Sequence, residues 1–293
     1  MDGSGQQIRQ TAPDALSNLV AVLELAEDGL LRCSPATRRP MASTAKLVED
    51  VLVAGDYYDG DHCNTGEPIA AYAWPLLVQA GGMARLAGSE LELTARGRET
   101  LARPGYEALG ALWARWLKNV SFDEMARIDA IKGQRRPGTL TSAARRRAAV
   151  IACLAALEPG AWADTEMVWH VLQSDDAPLA VVRNLLVLWR LYIGDAYYGS
   201  LGHAGAKAWD MVEGRYALCV LFEYAATAGV IDVAYTAPRG ARDDYRFLYG
   251  ADDLPFLSRY DGLLSVRVND LGAAILHDPG TLRHLDLPVP RRG

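Results

Sequence analysis

Two short alternating segments, residues 83–87 and 90–94, flank the small-residue pair Gly88 and Ser89, and this stretch restricts what the chain can fold into more than any other. Alternation with period two puts Leu91 and Leu93 on one face and Glu90 and Glu92 on the other, the pattern of a half-buried strand. A glycine-serine pair between two such runs closes a hairpin. Thr94 then stands where a helix over 94–101 needs its first cap. Upstream, Leu16, Leu19, Val20, Val22, Leu23 and Leu25 recur at helical spacing behind Pro13 and Asp14, and Gly29 ends the run. After a short segment, 30–33, and a turn, 34–40, Ser43 or Thr44 can cap a second helix reaching Val53. A third runs from about Pro68 to Ala80 and stops at Gly81 and Gly82, residues suited to the left-handed backbone of a helix end.

Three helices, a two-stranded hairpin and a return helix follow the order of a winged helix, so residues 13–103 are read as one winged-helix-like unit behind a flexible N-terminus, 1–12. The stretches Leu-Val-Gln-Ala-Gly-Gly-Met-Ala-Arg-Leu (77–86) and Leu-Glu-Leu-Thr-Ala-Arg-Gly-Arg-Glu-Thr-Leu (91–101) resemble the third helix and wing of bacterial winged-helix proteins, over roughly residues 14–102.

Residues 104–138 read as a helical connector carrying the apolar stripe Leu109, Leu112, Trp113, Trp116 and Leu117, and the run Lys-Gly-Gln-Arg-Arg-Pro-Gly (132–138) ends it. Thr141 or Ser142 opens the next helix, which continues through Ile151, Leu154 and Leu157 to Pro159 and Gly160. A short extended segment, an Asp164-capped helix, an apolar run over 179–193 and a Gly- and Tyr-rich loop over 194–205 follow. A helix over 213–228 then leads into a β-branched strand, 230–236, whose expected partner is 263–269 across a long polar insertion, 237–262. Asp270 starts a last helix to His277, and 280–293 is a tail. Residues 139–279 thus read as a second winged-helix-like unit.

In that unit, Leu-Phe-Glu-Tyr-Ala-Ala-Thr-Ala-Gly-Val-Ile-Asp-Val-Ala-Tyr (221–235), Arg-Asp-Asp-Tyr (242–245) and Phe-Leu-Ser-Arg-Tyr-Asp-Gly-Leu-Leu (256–264) resemble the winged-helix accessory regions found in or beside bacterial helicase-like proteins. The resemblance spans about residues 213–276. It implies a mainly α, tandem winged-helix protein. No motor motif accompanies it, so unwinding activity is not implied.

Composition narrows the function classes. With 50% hydrophobic and 23% charged residues the chain can bury a full core without metal or disulfides. No apolar run reaches the roughly 20 residues of a membrane span, and the polar N-terminus lacks a signal peptide, so a cytoplasmic location is expected. Cys33, Cys63, Cys153 and Cys219 are scattered without a CxxC pair and read as free, mostly buried thiols. His62, His170, His203, His277 and His284 show no metal-ligand spacing, and His170 reads as a partly buried structural side chain. Gly199 to Lys207 imitates a phosphate-binding loop with the wrong spacing and Ala208 in place of the metal-binding hydroxyl. Asp61, His62 and Cys63 lack an orienting partner for a thiol nucleophile. The pairs Asp243-Asp244 and Asp252-Asp253, interleaved with Arg239, Arg242 and Arg246, read as solvated loop charges. No catalytic residues, metal site, nucleotide site or cofactor is expected.

Net charge is −6, and its distribution says more than its sum: residues 1–150 hold 18 basic and 18 acidic side chains, and the remaining 12 basic and 18 acidic carry the deficit. Between 127 and 147, seven cations, Arg127, Lys132, Arg135, Arg136, Arg145, Arg146 and Arg147, face Asp129 alone. Three arginines in the first turn of a helix oppose its dipole; a phosphate backbone or an acidic protein surface would compensate them, and the alternative is a solvated helix face pairing with acids elsewhere. Arg38, Arg39 and Lys46 flank the second helix and Arg85 sits on the wing, where winged helices touch nucleic acid. Lys132, Arg135, Arg136, Arg145, Arg146, Arg147, Arg38, Arg39, Lys46 and Arg85 are the candidate nucleic-acid-binding residues. The expected function is non-catalytic binding of duplex DNA through its backbone, without strong sequence preference and within a larger DNA-handling assembly. The alternative is an adaptor holding partner proteins, favoured by the acidic C-terminal half and by Tyr192, Tyr197, Tyr198 and Tyr245.

Overall fold

The computed structural model describes residues 5–58, 68–174, 178–285 and 287. It is mainly α-helical, with small sheets. The N-terminus, expected to be flexible, contributes a strand, β1 (Gln7–Arg9). Helix α1 (Ala12–Glu27) follows with a proline in its first turn and buries Leu16, Leu19, Val22 and Leu23. Next come α2 (Ala42–Val51), α3 (Ala70–Ala80), the hairpin β2 (Ala84–Ala87) and β3 (Glu90–Leu93), and α4 (Ala95–Ala102). The hairpin pairs Arg85 with Glu92 and Leu86 with Leu91 around the expected turn. Thr94 caps α4 by accepting the Gly97 N–H. The segment before α2 joins the hairpin through an Arg32–Glu90 bridge.

The connector supplies α5 (Tyr106–Lys118) and a 3-10 turn, Glu124–Arg127. Then follow α6 (Ala143–Ala156), β4 (Trp162–Asp164) and α7 (Thr165–Leu172), whose cap is Asp164. Two 3-10 helices, Leu185–Arg190 and Leu201–Lys207, precede α8, made of the contiguous stretches Asp210–Gly214, Arg215–Cys219 and Val220–Ala225, the first and last with π-helical hydrogen bonding. Strand β5 (Ile231–Tyr235), β6 (Leu263–Val268) and α9 (Asp270–His277) complete the order, with a final 3-10 turn at Pro279–His284.

The expected pairing of β5 with β6 forms, yet it is not a two-stranded wing. The strands are the middle of a four-stranded antiparallel sheet ordered β1-β5-β6-β4. Val233 pairs with Val266, Ala163 with Val266 on the other side, and Ile8 with Ala234. β5 is buried along its whole length. The physical reason is that the chain start crosses to the second unit: Thr11 donates its N–H to Asp232 at 3.0 Å and its hydroxyl to the Ile231 carbonyl at 2.6 Å. One hydrophobic core runs from Ala12 to Leu282, and Trp116 of the connector stacks on Tyr224 of α8 with centroids 5.3 Å apart. The expected boundary near residue 139 is therefore a seam inside a continuous core. Helix α8 is apolar nearly all round, as a central helix must be, and of its charged members Glu213, Arg215 and Glu223 are buried while Asp210 is half-buried. No helix among the described residues is long and apolar enough to cross a membrane.

Candidate nucleic-acid interface

The arginines at the start of α6 divide between the interior and the surface. Arg147 is buried. Its Nε donates to Glu124 Oε1 at 2.6 Å and its Nη1 to the Trp116 carbonyl at 2.8 Å and to the Asn119 carbonyl, while Nη2 reaches Phe122 at 3.2 Å. It thus neutralises the carbonyl end of α5, where a cation is favoured. Arg146, also buried, pairs with Asp123 and lies 4.6 Å from the Tyr216 ring centre. Arg127 pairs with Glu223 at 2.7 Å, donates to Pro68 and covers the Tyr72 ring. The compensation left open by the sequence comes from inside the protein, so Arg146 and Arg147 are corrected from surface contacts to buried ion pairs. Their partners, Asp123 and Glu124, stand just before the window in which Asp129 was the one acid.

Lys46 is held by Glu49 and Asp50 of its own helix at 3.2 and 3.0 Å, and Arg85 by Glu92 at 3.1 Å across the hairpin. Both cations are neutralised locally and leave the candidate set. Every residue of α3 except Gln79 is buried, so this helix cannot enter a groove.

Arg39 meets the basic loop over 126–137. The loop over 34–39 is closed by Ser34 N–H to the Arg39 carbonyl at 2.8 Å and by Arg38 N–H to the Ser34 carbonyl at 2.7 Å. It exposes Arg38 and sends Arg39 Nη2 to the Ala126 carbonyl at 2.8 Å. Ala126 lines a cleft of 590 Å³ whose walls include Asp129, Lys132, Gln134, Arg135 and Arg136. Lys132, Arg135 and Arg136 are exposed there. Asp129 is the acid in the cleft, and it is paired with Arg259 at 3.0 Å. Arg145 is exposed at the first turn of α6.

Backbone bonds make this loop rigid. Gln134 Nε2 donates to the carbonyls of Ile128 and Ile131 at 2.9 and 2.7 Å, and Lys132 exchanges N–H···O bonds with Tyr192 at 2.8 and 3.3 Å. Gly133 has φ of +86°, and a Cβ there would lie 2.0 Å from the Arg190 carbonyl. Gly133→Ala is therefore expected to detach the loop from the 190–192 segment and to cost about 1–3 kcal/mol, read as a lower urea midpoint than wild type.

Beyond Arg190 the surface is aromatic, which the sequence did not reveal because residues 179–193 looked like continuous core. Leu186 and Trp189, three apart, share one side of a 3-10 helix, and both are exposed while Val187 and Leu188 anchor the turn. Trp189 packs over Gly202, where a Cβ would meet its ring at 2.2 Å, and its ring is 4.9 Å from that of His203. Asp195 accepts the backbone N–H groups of Tyr197 and Tyr198, both at 2.8 Å, which holds its carboxyl below the usual range and closes the turn that carries the two exposed rings. Tyr198 lies 5.5 Å from Tyr249, and Lys207 sits over Phe247 at 4.9 Å. Of the other tyrosines singled out, Tyr192 is half-buried and Tyr245 is buried.

Among the described residues no cluster of three or more His, Cys, Asp or Glu could hold a metal ion. His62 and Cys63 lie outside the described residues. Asp244 is engaged by the buried Arg215, which also binds Asp261 at 3.0 Å, so that pair is not a free carboxylate site. His170 is exposed, contrary to expectation. Cys33, Cys153 and Cys219 are free, buried thiols, and burial pushes Cys33 up to about 12 and Cys153 up to about 11. Comparison with protein-family models, curated proteins and solved structures finds no match.

Proposed function

We propose that this chain is a non-catalytic DNA-binding protein, with a winged-helix-like unit over residues 13–103, that grips the phosphate backbone at the 126–137 cleft. The observation that carries the reading is convergence: Arg39 from the first unit reaches the wall of a cleft already rimmed by Lys132, Arg135 and Arg136. Phosphate contacts of this kind position a protein without reading sequence. The burial of α3 supports that absence of base readout, since a third helix is the element a winged helix would insert. The helix order and hairpin of residues 13–103 support the winged-helix assignment of the first unit.

The test is fluorescence anisotropy with labelled 20-mers of arbitrary sequence, duplex and single-stranded, at low and near-physiological salt. Wild type is expected to bind and to weaken steeply with salt. The triple variant Lys132→Ala, Arg135→Ala, Arg136→Ala is expected to lose about 10- to 100-fold, and its log–log salt slope to flatten by about 2–3 units. A wild-type chain that binds neither probe at low salt sinks the reading. The adaptor reading is favoured by one observation, the exposed Leu185 and Leu186 beside Trp189, because contiguous apolar surface of this kind also marks protein interfaces.

A further inference from the structure

Seven of the 13 large apolar side chains exposed among the described residues fall in segments 185–198 and 247–249, which the Tyr198–Tyr249 ring contact and the packing of Gly194 on Gly250 bring together. The five aromatic members, Trp189, Tyr197, Tyr198, Phe247 and Tyr249, are 51 to 75% exposed. Their neighbours include exposed cations: Arg190 within the first segment, Arg183 two residues before it, Arg246 next to Phe247 and Lys207 over the Phe247 ring. Asp195 is committed to the amides of Tyr197 and Tyr198, and Asp243, Asp252 and Asp253 are the exposed acids flanking 247–249. This aromatic face adjoins the basic cleft without a gap, because Lys132 is bonded to Tyr192 and Gly133 lies against the Arg190 carbonyl.

We propose that the cleft and the aromatic face form one binding surface for single-stranded nucleic acid, with phosphates on Lys132, Arg135, Arg136 and Arg190 and unstacked bases on Trp189, Tyr197 and Tyr198. This rests on the nucleic-acid reading above and names its ligand. A duplex keeps its bases stacked and offers a protein only phosphates and groove edges, which leaves exposed rings without partners. A single strand offers base faces, which stack on aromatic side chains while the backbone follows a positive groove. The cations Lys132, Arg135, Arg136 and Arg190 beside the rings favour a polyanion over a neutral apolar protein surface.

The experiment compares three labelled probes on the full chain: a 20-mer of thymidine, a strand of equal length and charge made of abasic sites, and a 20-bp duplex. The thymidine strand is expected to bind at least about 10-fold more tightly than the other two. Trp189→Ala and the double variant Tyr197→Ala, Tyr198→Ala are each expected to weaken thymidine binding about 5- to 100-fold. Their salt slope and abasic binding should stay at wild-type values, and Tyr198→Phe should retain affinity. The tyrosine variant stands independently of any loss of packing between Trp189 and Gly202. Equal affinity for all three probes, or ring variants that bind thymidine like wild type, overturns the single-strand proposal and leaves the backbone reading intact. Binding to none of the probes overturns both and assigns the aromatic face to a protein partner.

Discussion

Replacing Arg147 by alanine is expected to destabilise the protein by about 3–5 kcal/mol, whereas Arg145→Ala, two positions earlier on the same helix, should change stability by no more than about 0.5 kcal/mol. Arg147 and Glu124 are both buried, and Arg147 also satisfies three carbonyls around the end of α5. Its loss removes the cation paired with the Glu124 carboxylate, which keeps the Tyr216 hydroxyl at 3.2 Å. Burial already raises the Glu124 pKa, and Arg147 opposes that rise. Removing Arg147 raises it further, so the variant's deficit should grow from pH 5 to pH 8 as the lone carboxyl is asked to ionise. Arg147→Lys should recover little, since one ammonium cannot reproduce the guanidinium's fan of donors. The double replacement Arg147→Met, Glu124→Leu should recover part of the loss, because it removes both buried charges. Urea midpoints at both pH values decide it. Equal stability of the Arg145 and Arg147 variants would contradict the buried placement.

Glu213 should make the protein less stable as pH rises. Burial pushes its pKa up to about 7, although its carboxyl accepts the N–H groups of Val181 at 3.0 Å and Val182 at 3.3 Å. A folded-state pKa above the unfolded value of about 4.5 gives stability that is complete below pH 4.5 and is lost as pH climbs through 7. The span corresponds to about 3 kcal/mol. Glu213→Gln keeps a carbonyl oxygen for the two amides and removes the charge. It should match wild type near pH 4.5 and exceed it by about 2–3 kcal/mol at pH 8, measured as the difference between the two unfolding curves. That difference isolates Glu213 from Glu124 and Asp261, whose raised values act in the same direction. A wild-type-minus-variant difference that does not change with pH would rule the assignment out. Because Glu213 anchors residues 181–182, just ahead of the aromatic 3-10 helix, the same group ties the core to the proposed binding face.

Local chemistry made most elements of the first unit legible. Period-two alternation located β2 and β3, Thr94 and Asp164 marked helix starts where they do cap, and Gly81 and Gly82 ended α3. Each depends on residues a few positions apart. The fate of the cations was legible only where their partners were near: Lys46 with Glu49 and Asp50 is an i,i+3 and i,i+4 pattern. The aromatic face was half visible, since Tyr197 and Tyr198 stood out in a Gly-rich loop, but Leu186 and Trp189 were hidden within an apolar run. A 3-10 helix exposes the i,i+3 pair that a strand or buried helix would not.

By itself, then, the sequence determined the helices, the first hairpin and the β5–β6 pairing, because periodicity, caps and turn residues act over short separations. Only the tertiary structure decided that β1 joins the sheet of the second unit. It alone selected Arg127, Arg146 and Arg147 for the interior, and it brought Arg39 to the cleft of Lys132, Arg135 and Arg136. An arginine carries the same charge whether it faces water or a buried carboxylate. Which it meets depends on Glu223, 96 residues from Arg127, or on the open end of α5, and no local pattern encodes that encounter.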